Sequence, residues 1–149
     1  MQDPEHSPAS GAFSEAPASR FEADDTITRV AAFRFALLEF QQFSDALADE
    51  FGIGIRQYQT LLFVFAYPDA LGMPMGELAR RMHITPATAT GLVERMEAKR
   101  WLQRVFDTKN RRLVRLKLLQ EGLLLLQRIA DADNGRMGEI RAAARKIGA

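Results

Sequence analysis

The chain contains no cysteine, which excludes disulfides, a thiol redox switch and any cysteine-ligated zinc site. Its two histidines, His6 and His83, lie in separate segments, too few and too scattered for a histidine-based metal centre. No metal and no cofactor are therefore expected. No apolar run approaches the ~18 residues that a membrane-spanning helix needs. The N-terminus carries acids instead of a basic n-region and has no apolar h-region, so it does not read as a secretory leader and the chain is expected in the cytoplasm. A phosphate-cradling glycine loop is also missing. Gly52-Ile53-Gly54 is followed by Gln57 where a dinucleotide-binding turn needs its third glycine. The segment from Asp131 to Gly135 has its glycine one place too early for a calcium loop and no Glu at the twelfth position. There is no serine in a nucleophile elbow and no His with a carboxylate partner in a recognisable motif. The expectation is a protein without catalytic residues, not an enzyme.

What is present is a chain of 149 residues, 47% hydrophobic, long enough for one soluble domain or for a protomer that completes its core by pairing. The formal net charge of +1 conceals an uneven distribution. Residues 1–74 carry 4 Lys and Arg against 11 Asp and Glu, a balance of −7, whereas residues 75–117 carry 11 against 4, a balance of +7. Cationic charge gathered in one segment is the footprint of a phosphate-binding surface.

That basic segment has the pattern of a helix-turn-helix. In MGELARRM, Met75, Leu78, Ala79 and Met82 recur at i, i+3, i+4 and i+7, giving a short helix one buried face. His83-Ile84 make the turn. Thr85 is a preferred N-cap, and Pro86 suits the first helical position because its missing N–H would be unpaired there in any case. The second helix sets Ala89, Leu92, Val93 and Met96 on one stripe and leaves Glu94, Arg95 and Lys99 outside it. Two short helices joined by a tight turn form the motif that places its second helix in a major groove. Two runs follow, Trp101–Phe106 and Arg112–Leu118, joined by Asp107-Thr108-Lys109-Asn110-Arg111. They read as a β-hairpin: Val114, Leu116 and Leu118 make an apolar face, while Arg115 and Lys117 contribute to a mostly cationic one. A basic hairpin beside a helix-turn-helix is a wing.

The pieces GELARRM, TPATATGLVERME and DTKNRRLVRLKLLQEG, with IGIRQYQTLLFVF upstream, resemble the multiple-antibiotic-resistance-regulator (MarR) family of bacterial transcription factors over roughly residues 25–145. The resemblance implies a mainly α fold with a small β-wing, a winged helix-turn-helix flanked by N- and C-terminal dimerisation helices. It also implies a homodimer that binds double-stranded DNA at a pseudo-palindromic operator. As a repressor it would be released by a small aromatic or anionic effector. The family holds its wing in shape by pairing the residues at Asp107 and Arg112. This chain departs from the family pattern at Lys109 and Asn110 in the wing, at Gly91 on the recognition helix, at Arg100 where a helix-ending glycine is usual, and at Leu119 where a capping Thr is usual.

The residues expected at DNA are Pro86, Ala87, Thr88 and Thr90 at base edges, Thr85 at a phosphate, and Arg95 at a phosphate or a base. In the wing, Lys109 is expected in the minor groove, Arg111 on phosphates and Arg112 with Asp107. A rival reading is a winged-helix module for protein contact without specific DNA reading. The capped helix and basic wing favour DNA; Gly91 and the absence of a strong base reader keep the rival open.

Residues 1–23 are rich in Pro, Ser, Ala and acids and poor in large apolar groups, a composition that predicts a disordered tail. The rest divides into a MarR-like domain over 24–149, with dimerisation helices at 24–54 and 120–149 and the winged helix-turn-helix at 55–119. The first helix, from Asp24-Asp25-Thr26 to near Phe51, is apolar on more than one stripe and is expected to be buried on two sides, against its own domain and against another chain. A helix over about 55–66 follows. The last region reads as two helices broken at Asp133-Asn134-Gly135. Within the family resemblance, an effector pocket would lie between the dimer helices and the reading head. Arg34 would hold a carboxylate there beside apolar walls from Phe33, Phe63 or Phe65, with Tyr58 near the start of the second helix. The competing reading makes Tyr58 a core residue and Arg34 an ion-pair partner across a dimer.

Overall fold

The computed structural model describes residues 25–148, so the expectation of a disordered tail over 1–23 lies outside the described residues. Within them, five helices and a three-stranded sheet follow in the order α1 (Asp25–Glu50), α2 (Ile55–Phe65), β1 (Met73–Pro74), α3 (Met75–Arg81), α4 (Pro86–Ala98), β2 (Leu102–Phe106), β3 (Val114–Leu118) and α5 (Gln120–Gly148). The fold is mainly α with a small wing, as the sequence predicts. No helix among the described residues is long and apolar enough to cross a membrane.

The helix ends explain how so short a chain turns so often. After α1, α3 and α4 the backbone takes the left-handed conformation at Gly52 (φ 68°), His83 (φ 51°) and Arg100 (φ 61°). Each end carries the same pair of hydrogen bonds. Gly52 N–H donates to Asp49 O and Ile53 N–H to Ala48 O; His83 donates to Arg80 O and Ile84 to Ala79 O; Arg100 donates to Glu97 O and Trp101 to Met96 O. This is the Schellman closure, which satisfies carbonyls that the helix leaves open. Only the first uses glycine, so the two turns bounding the recognition helix carry side chains in a conformation that disfavours a Cβ. At the front of α2 the Gln57 side chain accepts the Gly54 amide at 3.1 Å, and at the front of α4 Thr85 Oγ1 accepts the Thr88 amide at 3.2 Å.

β3 is the central strand, antiparallel to both neighbours, in the order β1-β3-β2. The wing register pairs Leu102 with Leu118, Arg104 with Leu116 and Phe106 with Val114. Met73 pairs with Leu116 and Pro74 with Arg115 to make β1. Gly72 (φ 101°) makes this approach possible, because a Cβ there would overlap the Leu116 carbonyl. The core lies under the sheet, where Leu61, Leu78, Met96, Leu102 and Leu116 are fully buried together with Ile129 from α5.

One expectation is corrected. Gln120–Gly148 is one helix, not two: Gly135 lacks the left-handed φ of a helix stop, and a glycine in helical conformation costs about 1 kcal/mol without ending the helix. In α1, Leu47 and Ala48 are the residues buried within one chain. Phe33, Phe35 and Leu38 are 60–65% exposed.

Candidate nucleic-acid interface

The recognition helix presents the end that the sequence selects. Ala89, Leu92, Val93 and Met96 are buried, which fixes the helix on the core, while Thr85, Pro86, Ala87 and Thr88 are exposed at its N-terminus. The threonine hydroxyls are largely engaged with one another. Thr85 and Thr88 share a 2.9 Å hydroxyl contact, and Thr90 donates to Pro86 O at 3.0 Å. The exposed Thr, Pro and Ala side chains here offer methyl groups, a ring and hydroxyls of the kind that contact base edges. Arg95 is exposed one turn beyond Gly91. A Cβ on Gly91 would lie 3.6 Å from the Arg95 guanidinium, so Arg95 leans back toward the helix N-terminus through space that a longer residue 91 would occupy.

Several cations of the basic segment are tied to carboxylates. Glu77 holds Arg80 at 2.8 Å and Arg81 at 2.6 Å, and these contacts, Arg80 first, bring its carboxyl down to about 2. Arg104 joins β2 to α4 through Glu97 at 2.9 Å. In contrast Lys109, Arg111 and Arg112 are exposed at the wing and form no ion pair among the described residues. The three wing cations named from sequence are therefore brought together and left available.

The wing's internal scaffold differs from the expected one. Asp107 pairs with Arg115, not with Arg112: Arg115 Nε donates to Asp107 Oδ2 at 2.8 Å. The register supplies the reason. Arg115 stands opposite Val105, and Asp107, two residues on from Val105, shares that face as the diagonal neighbour. Arg112 lies in the turn, where its amide donates to Asn110 Oδ1 at 3.2 Å and its side chain faces solvent. The other oxygen of Asp107 accepts the amides of Lys109 at 2.8 Å and Asn110 at 3.0 Å, which shapes the tip. The Arg115 guanidinium, followed by these two amides, holds the Asp107 carboxyl below its ordinary range. Arg115 reaches further, to Asp69 Oδ2 at 3.1 Å and to Gly72 O at 2.9 Å, in the segment between α2 and β1. Sequence reasoning selects neither Arg115 nor Asp69 as a site residue. A cation in the middle of a short strand is the one signal it offers.

Arg34 and Tyr58 are not brought together in a cavity. Tyr58 is buried in the core and hydrogen-bonded to Asp133 of α5; burial first, then the Asp133 charge, raises its pKa. Arg34 is exposed on α1, 13 residues before Leu47, about 20 Å along the helix. An apolar groove of about 510 Å³ runs between α2 and α5 and is lined by Leu62, Phe65, Leu123 and Leu126. A more polar cleft of about 270 Å³ lies between α1, α2 and Met82, with Asp45, Arg56 and Gln59 on its wall.

A family model described as "MarR family" matches residues 51–113. The chain is 31% identical over 83 residues to the uncharacterised HTH-type transcriptional regulator YsmB of Bacillus subtilis, covering 56% of this chain and 55% of that one. It is 37% identical over 62 residues to the HTH-type transcriptional repressor MdtR of the same organism, covering 41% and 40%. These matches span about half the length of the curated relatives. Among solved structures, S. aureus MepR, a transcription regulator of the multidrug efflux pump MepA, superposes with a TM-score of 0.65 at 22% identity, covering 74% of this chain and 79% of that one. The S. aureus MepR–DNA complex does so at 0.62 and 22%, with the same coverage. These structures share the winged-helix fold.

Proposed function

We propose that this chain, whose residues 51–113 match a model described as "MarR family", is a sequence-specific regulator of transcription that binds double-stranded DNA as a homodimer. The observation that carries the reading is the exposed, Thr85-capped start of α4 beside a wing whose Lys109, Arg111 and Arg112 have no carboxylate partner among the described residues. The helix would enter a major groove with Pro86, Ala87, Thr88 and Thr90 at base edges. Thr85 and Arg95 would lie at its rim, Lys109 in the flanking minor groove and Arg111 and Arg112 on phosphates. No covalent bond is made or broken in such an action, and it takes place in the cytoplasm.

The dimer is supported by α1, whose exposed phenylalanines and leucines call for a cover, and by Leu123 and Leu124 at the start of α5, 40% and 53% exposed. A two-fold pairing through these helices sets two heads on one face, and heads roughly 34 Å apart read a pseudo-palindrome. Repression is the mode named for MdtR, and a bound dimer covering a promoter acts in that way. A small aromatic or anionic effector would release it by binding better to a dimer whose heads are wrongly spaced. With Tyr58 committed to the core, the α2–α5 groove offers such a molecule more apolar wall than the Arg34–Tyr58 pair does.

Fluorescence anisotropy tests the reading, with duplexes from the DNA flanking the chain's own gene, a scrambled duplex and two salt concentrations. Tight, salt-sensitive preference for the native duplex supports it. Equal weak binding to both duplexes would sink it and favour a protein-contact module.

A further inference from the structure

We infer that Arg115 and Asp69 form a clamp that sets the position of the wing relative to the body of the protein, making both of them positioning residues for DNA binding. The inference rests on the DNA-binding reading above. A two-stranded wing fastened only by its own ladder pivots at its base, and small rotations carry its tip into or out of a groove. Here one guanidinium joins three groups from two places. Asp107 lies at the root of the tip, 2.8 Å away; Asp69 and Gly72 O, at 3.1 and 2.9 Å, belong to the segment leaving α2. The arginine itself is 13% exposed on the central strand. A planar fork holds several acceptors at fixed angles, which a lysine ammonium does not.

The two carboxylates divide the work. Asp107 uses one oxygen on Arg115 and the other on the amides of the tip, so it shapes the wing. Asp69 uses one oxygen on the Leu71 amide at 2.9 Å and the other on Arg115, so it anchors the wing to the α2 side. Loss of Asp69 leaves the wing's internal pairing in place and removes only an anchor. The tip that this clamp aims carries Lys109 and Arg111, the cations proposed for minor groove and phosphate.

The test compares full-length wild type with D69N, R115K and R115Q. Anisotropy on the native flanking duplex is read across a salt series, and the urea midpoint is measured beside it. A second, DNA-free readout uses the absence of cysteine: spin labels at K109C and Q59C, diluted into unlabelled chain, report the tip-to-α2 distance. D69N is expected to weaken binding and lower the log–log salt slope by up to about 0.9 for each phosphate that a wing no longer neutralises. It is also expected to broaden the distance distribution, with little change in midpoint because Asp69 is 42% exposed. R115K should resemble R115Q instead of wild type, because charge alone does not replace the fork. If wild type binds and D69N binds with the same affinity and slope, the clamp idea is overturned. If wild type itself ignores the native duplex, the DNA-binding reading fails. The clamp is then judged on distances alone, and an unchanged distribution in D69N refutes it.

Discussion

Gly122, in the first turn of α5, lies directly against the carbonyl of Trp101, the same carbonyl that accepts the Leu119 amide at 2.9 Å. A Cβ at residue 122 would overlap that backbone group. The start of β2 and the start of α5 are thereby locked together, and the lock depends on a missing side chain. Gly122→Ala is expected to destabilise the protein by about 1–3 kcal/mol, the usual result of forcing an atom into a filled space. The gain in helix propensity from Ala is smaller than this clash. Urea denaturation of the two proteins measures the difference, and an unchanged midpoint would contradict the packing described.

At Arg100 the opposite change should help. Its φ of 61° closes the recognition helix with a left-handed residue, where a Cβ costs roughly 1–2 kcal/mol. Glycine relieves that strain but loses more backbone freedom on folding. The expected net effect of Arg100→Gly is a stabilisation of up to about 1 kcal/mol, seen as a higher thermal midpoint. A lower midpoint would mean that the Arg100 side chain contributes more than its backbone strain removes.

Acid should loosen the reading head in a defined window. Glu77 has its carboxyl depressed from 4.5 to about 2 by Arg80 and Arg81, and Asp107 is depressed by Arg115 and the tip amides. A depressed carboxylate stabilises the folded state fully above its unfolded value, and that contribution is lost as pH falls through the folded one. Stability is therefore expected to decline from about pH 4.5 toward pH 2. Glu77→Gln should flatten part of this decline. A profile identical to wild type in this range would rule out the Glu77 contribution.

Local features of this chain are legible in its sequence, and tertiary ones are hidden. The Thr85 cap, the Pro86 start and the Ala89-Leu92-Val93-Met96 stripe act within a few residues, so the recognition helix is visible in full. β1 is not, because two residues, one of them proline, become a strand only when β3 lies beside them. The wing's pairing is misassigned because the family pattern points to Arg112, whereas strand register decides that Arg115 faces Asp107. The break expected at Asp133–Gly135 fails for a related reason: Asp133 looks like a stop signal locally but meets Tyr58 across the α2–α5 contact. α1 is legible as apolar on more than one stripe, and its Phe33, Phe35 and Leu38 stand exposed on the single chain.

Lys109 offers the sharpest change at the tip. Lys109→Ala is expected to lower the salt slope by about 0.9 per wing with little effect on folding, since the side chain is exposed and only its amide holds the turn. Lys109→Arg is expected to tighten binding to duplexes with A-tract flanks, because a guanidinium suits a narrow minor groove better than an ammonium. Equal affinity of all three proteins across flanks would remove Lys109 from the interface.

The small sheet also bears on how the protein behaves when crowded. An open strand edge invites another chain to add to it. The outer side of β1 is two residues long and includes Pro74, which has no amide to give. On the outer side of β2, the Arg104 amide is occupied by Glu97 of α4 at 3.2 Å. Both borders are thus obstructed to strand addition by different means. Neighbouring copies are left to meet through side chains, without merging their sheets into a fibre.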